Sequence, residues 1–309
     1  MTTPLRFVLL GHPVAHSVSP AMCAAGFAAL GLPHTYAAVD VPDPAGLRPF
    51  VDDLRRGALG GCNVTIPHKR AAFDLADARA PNAEEVGVAN VLARDASGQV
   101  VAHNTDVEAL AADIAALSTS ASRRRAAVIG SGGAALASLI ACRRLGFEVV
   151  SMTSRSWTDT QALLASPSAQ RARALGALVA PWPRKDAAVP GGSLTEALRA
   201  QWGALSANAD CVVQATSAGM HGADPAEDVA RVVTWEALPD HAVAYDVVYN
   251  PRVTPFVEAA RRRGLGASSG LGMLVRQAAL AIGLWTGLTP PLDRLREAAE
   301  RALDAGWPT

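Results

Sequence analysis

Short apolar runs alternate with helix-like segments along the chain, and this alternation constrains the fold more than any other feature. In its first part the order strand, helix, strand, helix predicts an α/β domain with a largely parallel sheet. A pair of runs joined by a polar turn is typical of a hairpin that completes such a sheet. The predicted elements are strands at 6–10, 34–41 and 62–66, helices at 20–30, 44–56 and from 68, and a hairpin of 88–94 with 99–103.

A second α/β unit is predicted after a helix near 106–117 and a small polar linker at 118–122. It opens with a strand at 125–129, a glycine-rich turn, a helix to about Leu145 and a strand at 147–152. A dinucleotide-binding βαβ unit requires this order. Later strands are expected at 211–214 and 243–247, and the elements between 156 and 208 cannot be placed from the pattern.

The long helical tail that begins near Gly270 can pack back on the first domain and make it discontinuous. We therefore expect two α/β domains with a cleft between them. The first comprises residues 1–106 plus 270–309, and a Rossmann-like domain comprises 107–269.

Composition excludes several classes of function. The 309 residues are 50% hydrophobic, and 28 Lys and Arg balance 28 Asp and Glu, so nucleic acid is a poor expectation for a partner. No charged-then-apolar leader opens the chain and no apolar run approaches the length of a membrane span, so we expect a cytoplasmic protein without membrane association. The cysteines, Cys23, Cys62, Cys142 and Cys211, are widely spaced in apolar surroundings, which predicts buried thiols and no metal site.

A lysine and a carboxylate lie at the ends of short apolar runs, where strands deliver polar groups to a binding site. Lys69 ends Asn63-Val64-Thr65-Ile66-Pro67-His68-Lys69, and Asp106 ends Asn104-Thr105-Asp106. They could form an acid/base pair. Alternatively, Lys69 is an exposed residue of a first helical turn, Asp106 is a helix N-cap, and Asn63 and Asn90 are turn residues.

Two serines precede the first predicted helix, in Ser17-Val18-Ser19-Pro20. Alternate residues of an extended segment share a face, so both hydroxyls can converge on one ligand group. A serine before a proline is also what a helix N-cap looks like, so Ser19 is equally a capping residue, whereas Ser17 has less structural reason to be there.

The glycine turn Gly130-Ser131-Gly132-Gly133-Ala134 can bring backbone close to a pyrophosphate at the start of a helix, although a tight turn without a ligand is the alternative. The next predicted strand is followed by Ser154-Arg155-Ser156, with no acidic residue to hold the ribose hydroxyls of NAD. An arginine there accommodates the extra phosphate of NADP, unless Arg155 is simply a surface residue.

Taken together, the motifs resemble those of the shikimate dehydrogenase family, including its quinate-using relatives. The resemblance covers nearly the whole chain in eight ordered motifs. These are G-H-P-V-A-H-S-V-S-P, N-V-T-I-P-H-K, G-V-A-N, H-N-T-D, G-S-G-G-A, Q-A-T-S-A-G-M, Y-D-V-V-Y-N-P and G-L-G-M-L-V-R-Q-A.

The resemblance implies reversible reduction of 3-dehydroshikimate to shikimate with NADPH, with Lys69 as acid/base and Asp106 beside it. It makes the discontinuous first domain the substrate-binding one. The substrate carboxylate would contact Ser17, Ser19 and Tyr249, and the ring hydroxyls would contact Asn63, Thr65, Asn90, Asp106 and Gln277. The cofactor would be lined by Gly130, Ser131, Gly132, Gly133, Ala134, Ser154, Arg155, Ser156, Thr216, Ser217, Gly219, Val247 and Gly270.

Other functions stay open at this level. The substrate can be quinate or an amino analogue of a specialised pathway, or the chain can be a dinucleotide-binding regulator without turnover. NAD is a possible secondary cofactor, and a homodimer is possible.

Overall fold

The computed structural model describes residues 3–183, 193–224 and 226–305 and divides the chain into two compact units. The first is Met1–Ala109 with Gly272–Thr309, and the second is Leu110–Leu271. These bounds lie within a few residues of the predicted division at 106 and 270. Within the described residues, no helix is long and apolar enough to cross a membrane.

The first unit contains one six-stranded mixed sheet. The sheet order is β2-β1-β3-β5-β6-β4, with β1 parallel to β2 and β3, and β5 antiparallel to β3 and β6. The predicted hairpin is therefore confirmed. The strands are β1 (Arg6–Gly11), β2 (Thr35–Asp40), β3 (Gly61–Val64), β4 (Ala78–Arg79), β5 (Val91–Arg94) and β6 (Val100–His103).

The helices of this unit follow the predicted positions, with one addition. The short β4 and the helix after it were not predicted, because neither has enough residues to show a periodic pattern. The helices are α1 (Ser19–Ala29), the 3-10 helix η1 (Pro44–Leu47), α2 (Arg48–Arg55), α3 (Lys69–Leu75), α4 (Pro81–Val86), the start of α5 (Asp106–Leu117), α12 (Leu271–Thr286) and α13 (Leu292–Asp304).

The C-terminal helices complete the core of the first unit. A Cβ atom on Gly26 of α1 would lie 2.8 Å from Ile282 Cδ1 of α12 and 3.2 Å from Leu295 Cδ1 of α13. Ile282, Leu295 and Phe27 are all fully buried. Helix α1 therefore packs against both α12 and α13 within the first unit.

The second unit contains a wholly parallel six-stranded sheet. Its order is β12-β11-β10-β7-β8-β9, which is the order of a Rossmann fold with β7 as its first strand. The strands are β7 (Arg125–Ile129), β8 (Val149–Thr153), β9 (Leu178–Ala180), β10 (Cys211–Gln214), β11 (Val243–Asp246) and β12 (Gly266–Ser268).

The helices of the second unit include several that the sequence pattern did not predict. Strand β9 and helix α9 lie in the region that could not be placed, and its residues 184–192 lie outside the described residues. The helices are α6 (Gly133–Arg144), α7 (Thr160–Ala165), α8 (Pro167–Ala174), α9 (Ser193–Ser206), α10 (Glu227–Arg231), the 3-10 helix η2 (Trp235–Ala237) and α11 (Pro255–Arg262).

All four cysteines are buried free thiols, as predicted. Burial raises the pKa of Cys23 and of Cys62 to about 12. These thiols are therefore protonated and apolar in the fold, and they act as small core residues. The part of the chain that the structure describes has no cluster of three His, Cys, Asp or Glu side chains suited to a metal ion.

Candidate active site

The predicted lysine and carboxylate meet in the first unit. Lys69 is the first residue of α3 and Asp106 the first residue of α5, and Lys69 Nζ lies 2.6 Å from Asp106 Oδ2. The lysine side chain is only 19% exposed and the aspartate side chain 4%. The interpretation of Lys69 as an exposed surface residue is therefore wrong, and the two groups form a largely desolvated, charge-assisted contact.

The second carboxylate oxygen of Asp106 accepts a hydrogen bond from Asn90 Nδ2 at 2.8 Å. The start of α5 is satisfied by another side chain, since Asn104 Oδ1 accepts the backbone N–H of Asp106 at 3.0 Å. Asp106 therefore directs its carboxylate to Lys69 and Asn90, and the capping role proposed for it falls to Asn104.

Asn90 connects three segments of the first unit. Its Oδ1 accepts the backbone N–H of Thr105 at 2.8 Å, and its Nδ2 lies 3.0 Å from Thr105 Oγ1 and 3.2 Å from Gln277 Oε1. Asn90 is 2% exposed and immediately precedes β5. It is thus a buried network residue rather than a turn residue, and it brings Gln277 of α12 to the Lys69–Asp106 pair.

Asn63 lies on β3, where its side chain is also buried and oriented. Its Oδ1 accepts the phenolic O–H of Tyr36 at 2.7 Å, and its Nδ2 donates to the carbonyl of Asn90 at 3.2 Å. Burial raises the pKa of Tyr36 well above its usual value, so the phenol remains a neutral donor. Tyr36 was not predicted as a site residue. It lies on β2, two strands from Asn63 on β3, so its hydrogen bond to Asn63 is evident only from the strand order of the sheet.

Thr65 follows β3 and is fixed through its backbone. Its N–H donates to the carbonyl of Leu10 at 2.9 Å, and its carbonyl accepts the N–H of His68 at 2.8 Å. A Cβ atom at Gly11 would overlap Thr65 Cγ2. The glycine that ends β1 therefore makes room for Thr65 in the segment that leads to Lys69.

The two serines exchange the roles that the sequence suggested. Ser17 Oγ accepts the backbone N–H of Ser19 at 3.2 Å, which satisfies a free donor at the start of α1. The helix has no capping side-chain bond from its N-cap residue, Val18, and Ser19 is already its first residue. Ser17 thus has the structural reason that it lacked on sequence grounds, and Ser19, 6% exposed, is not the cap.

The glycine turn joins β7 to α6 in the second unit. Gly130 has a φ of 136°, and a Cβ there would lie 2.7 Å from the carbonyl oxygen of Ala215, so this position requires glycine for structural reasons. A Cβ on Gly132 would instead meet open space, just before Gly133 and Ala134 begin the helix. An accessible backbone at the N-terminus of a 12-residue helix fits a pyrophosphate.

Three hydroxyl groups and one arginine lie beside this turn. Ser154 Oγ is 2.8 Å from Ser131 Oγ and 3.0 Å from Ser156 Oγ, and Ser131 Oγ is 3.3 Å from Ser156 Oγ. Arg155 Nη1 donates to Asp224 Oδ2 at 3.0 Å. Arg155, the predicted phosphate-binding residue, is exposed and is paired with Asp224, which the sequence pattern did not associate with it.

The loop after β10 contains Thr216, Ser217 and Gly219, and a fully buried glutamine orders it. Gln214 Oε1 accepts the N–H of Thr216, and Gln214 Nε2 donates to the carbonyl of Ala218 at 2.9 Å. Gly219 has a φ of 86° and donates its N–H to the carbonyl of Asp224 at 2.7 Å. The same loop thus holds Asp224 in place.

The segment after β11 contains Val247 and Tyr249, which is half-buried. A Cβ on Gly270 would overlap the carbonyl oxygen of Val247, so glycine is required where these two segments meet. Asp246 anchors the segment, because its Oδ1 accepts the N–H of Val248 at 2.9 Å and its Oδ2 accepts the hydroxyl of Thr254 at 2.6 Å. Burial raises the pKa of Asp246 to about 7.

The predicted residues therefore form two groups. Hydrogen bonds and an ion pair join Asn63, Lys69, Asn90, Asp106 and Gln277, while Ser17, Ser19 and Thr65 lie in the same unit. Tyr249 and all the predicted cofactor-binding residues belong to the second unit. Six residues around these groups have no role that the sequence predicts, and each is identified by a buried or directed hydrogen bond: Tyr36, Asn104, Thr105, Gln214, Asp224 and Asp246.

Comparison with known proteins identifies the family. Residues 9–92 match the shikimate dehydrogenase substrate binding domain, and residues 270–300 match the shikimate 5'-dehydrogenase C-terminal domain. The NADP(+) shikimate dehydrogenase of Symbiobacterium thermophilum is 37% identical over 96% of this chain and 94% of that protein. The chain belongs to the shikimate dehydrogenase family. The resemblance found in the motifs is thereby confirmed.

Solved structures of the shikimate dehydrogenase family have the same fold. The enzyme of Thermus thermophilus in complex with NADP(H) and shikimate superposes with a TM-score of 0.74 at 34% identity, covering 97% of this chain and 100% of that one. The 5-ketofructose reductase of a Gluconobacter strain is also similar, with a TM-score of 0.75 at 25% identity, covering 97% and 99%.

Proposed function

We propose that the protein is an NADP-dependent oxidoreductase that interconverts 3-dehydroshikimate and shikimate, with Lys69 as the acid/base residue. The observation that carries this proposal is the buried contact of 2.6 Å between Lys69 Nζ and Asp106 Oδ2, surrounded by the amides of Asn63, Asn90 and Gln277. It is supported by the names of the relatives, which are NADP(+) shikimate dehydrogenases.

The proton step requires one donor. When the carbonyl carbon of the substrate gains a hydride, its oxygen becomes an alkoxide, and the Lys69 ammonium donates a proton to that oxygen. In the reverse direction the neutral amine accepts the proton of the hydroxyl. Asp106 positions the ammonium and accepts a hydrogen bond from a neighbouring substrate hydroxyl.

The remaining polar residues recognise the substrate. We assign the ring hydroxyls to Asn63, Thr65, Asn90, Asp106 and Gln277, and the carboxylate to the hydroxyls of Ser17 and Ser19, which all belong to the first unit. Asn90 and Asn63 are suited to this role because their amide orientations are fixed by Thr105, Asp106 and Tyr36, which reduces the entropy cost of binding.

The cofactor is assigned to the second unit, and NADP supplies the hydride chemistry when bound. The open backbone at Gly132 and the start of α6 would hold the pyrophosphate. Ser131, Ser154, Arg155 and Ser156 would hold the adenosine ribose and its phosphate, and the segments around Thr216, Ser217, Gly219, Val247 and Gly270 would line the rest. We accordingly assign substrate binding to residues 1–106 plus 270–309 and cofactor binding to 107–269.

A direct assay tests this function. The purified protein is incubated with NADP or NAD and with shikimate or quinate, and reduced cofactor is followed by its absorbance. Turnover with shikimate and NADP is the expected result. A mock preparation from host cells that lack the gene, purified in the same way, measures any activity contributed by contaminating host enzymes.

The same assay separates the alternatives. Turnover with quinate and NAD alone would assign the chain to a quinate-type branch of the family, and turnover with an amino analogue to a specialised pathway. Dinucleotide binding without turnover of any substrate pair would instead indicate a regulator.

A further inference from the structure

Arg155 is expected to recognise the phosphate that distinguishes NADP from NAD, yet it is paired with an acidic side chain. Its Nη1 atom lies 3.0 Å from Asp224 Oδ2, and the side chains are 38% and 72% exposed. A single contact between two exposed groups contributes little to folding. The consequence considered for this pair is therefore its effect on the charge available at the proposed cofactor site.

The position of Asp224 is determined by its loop. The carbonyl of Asp224 accepts the N–H of Gly219 at 2.7 Å, and Gly219 adopts a φ of 86° that favours glycine. A Cβ at Gly219 would lie 2.8 Å from Ala226 Cβ, on the far side of the same loop. The loop is thus closed on itself, and it holds the carboxylate next to Arg155.

A phosphate and Asp224 would compete for the same guanidinium group. A phosphate prefers two parallel N–H donors of one arginine, and one terminal nitrogen of Arg155 already donates to Asp224. Even if the phosphate took the remaining edge, two anions would lie on opposite sides of one cation. Ser154 and Ser156 add hydroxyl donors but no positive charge, so nothing at these positions offsets the repulsion.

We infer that Asp224 sets the cofactor preference by opposing the 2′-phosphate of NADP at Arg155, and that it thereby leaves NAD usable. This inference rests on the proposed function of the second unit as a dinucleotide site. NAD has a neutral hydroxyl at that position, so its binding leaves the Arg155–Asp224 pair intact.

The test is a comparison of dissociation constants in Asp224→Asn. The asparagine keeps an oxygen that can accept from Arg155 Nη1 but removes the charge. We expect the dissociation constant of NADPH to fall by about threefold to tenfold and that of NADH to change by less than about twofold. Both are measured by fluorescence titration without substrate, and adenosine 2′,5′-bisphosphate is compared with AMP in the same way.

Two further variants make the result specific. Combining Asp224→Asn with Arg155→Ala should abolish the gain for NADPH, because the repulsion acts at the arginine. Asp228→Asn, which removes an exposed carboxylate paired with Arg231 further along the chain, should leave both constants unchanged.

Several outcomes would overturn the inference. Equal changes for NADPH and NADH would mean that Asp224 does not distinguish the phosphate. Weaker NADPH binding in Asp224→Asn would mean that the carboxylate positions Arg155 rather than opposing its ligand. A wild-type protein that binds neither dinucleotide would overturn both this inference and the proposed function, whereas selective binding without shikimate turnover would overturn only the function.

Discussion

The two units bury carboxyl groups in opposite ways. Asp106 in the first unit and Asp246 in the second are 3% and 0% exposed, and each accepts two hydrogen bonds from side chains or backbone. Asp106 has an ammonium group as one of its partners, whereas the partners of Asp246 are the hydroxyl of Thr254 and the N–H of Val248.

On the proposed function, this difference separates a carboxylate assigned to the reaction, Asp106, from one that organises a loop, Asp246. A carboxylate beside a lysine keeps its charge compensated, and the pair can shift a proton during a reaction. For a carboxyl group with neutral partners, hydrogen bonds offset only part of the cost of burying the charged form, and burial therefore raises the pKa of Asp246 to about 7.

The largest expected effect concerns the pH dependence of stability at Asp246. Burial raises its pKa from 3.8 to about 7, so between these values the folded protein holds a proton that the unfolded chain has lost. The contribution of Asp246 to the free energy of unfolding should therefore fall as pH rises through this interval, by up to about 4 kcal/mol, and then level off. Asp246→Asn should remove this part of the slope, as measured by urea unfolding at several pH values.

A matched control for Asp246 is Asp240→Asn, whose side chain is 92% exposed and paired with Arg263. It should retain the wild-type slope. If Asp246→Asn and the wild-type protein showed parallel pH profiles, the buried carboxyl would not be the titrating group.

The next largest effect is expected at Lys69. Lys69→Ala should lower kcat by at least about 10²-fold with little change in KM, because on the proposed mechanism it removes the group that accepts the proton of the substrate hydroxyl but leaves the other hydroxyl contacts in place. Steady-state kinetics with shikimate and NADP measure it. Arg70→Ala is the control, since Arg70 is the adjacent exposed residue and pairs with Asp74. Full activity in Lys69→Ala would remove the lysine from the mechanism.

A smaller effect is expected at Asn90, which orients Asp106 without moving the proton. Asn90→Ala leaves the N–H of Thr105 and one oxygen of Asp106 without their partner, so kcat should fall by about 20-fold and the free energy of unfolding by about 1–2 kcal/mol. Asn82→Ala loses one bond, to the N–H of Asn104, and is the comparison. Kinetics indistinguishable between the two variants would show that the orientation of Asp106 is set elsewhere.

The smallest effect is expected in the glycine turn of the second unit. Gly132→Ala places a methyl group in open space at the N-cap of α6, so the free energy of unfolding should fall by less than about 1 kcal/mol, while the dissociation constants of NADPH and NADH both rise about fivefold. Gly130→Ala, two residues earlier, should instead lower stability by about 1 kcal/mol or more, because its φ of 136° and the nearby Ala215 carbonyl exclude a side chain. Unchanged affinity in Gly132→Ala would place the pyrophosphate elsewhere.

The longer strands and the glycine turn of this fold could be predicted from local patterns in the amino-acid sequence. The strands with continuous apolar runs, such as β1 and β7, and the turn at Gly130 were predicted because their signals are local. Elements as short as β4 and β12 were not, because two or three residues have no period to detect.

The site was predicted as a set of residues but not as a network. Lys69 and Asp106 are 37 positions apart, and their contact depends on where α3 and α5 begin. The sequence pattern favoured Ser19 as the capping residue of α1, but Ser17 accepts the free N–H instead. Which serine does so depends on the residue at which α1 begins, and the pattern placed that start one residue too late. Tyr36 and Asp224 were missed because each reaches its partner from a different strand or loop.

The discontinuity of the first unit has a consequence for how the chain is made. Helix α1 packs against α12 and α13 at Gly26, Ile282 and Leu295, and the last two of these residues leave the ribosome after the whole second unit. The second unit can therefore fold on the nascent chain, while the core around the lysine and aspartate is completed only after the last helices are released. A chain that stops before α12 would therefore expose the apolar face of α1, even though both residues of the Lys69–Asp106 pair had already been synthesised.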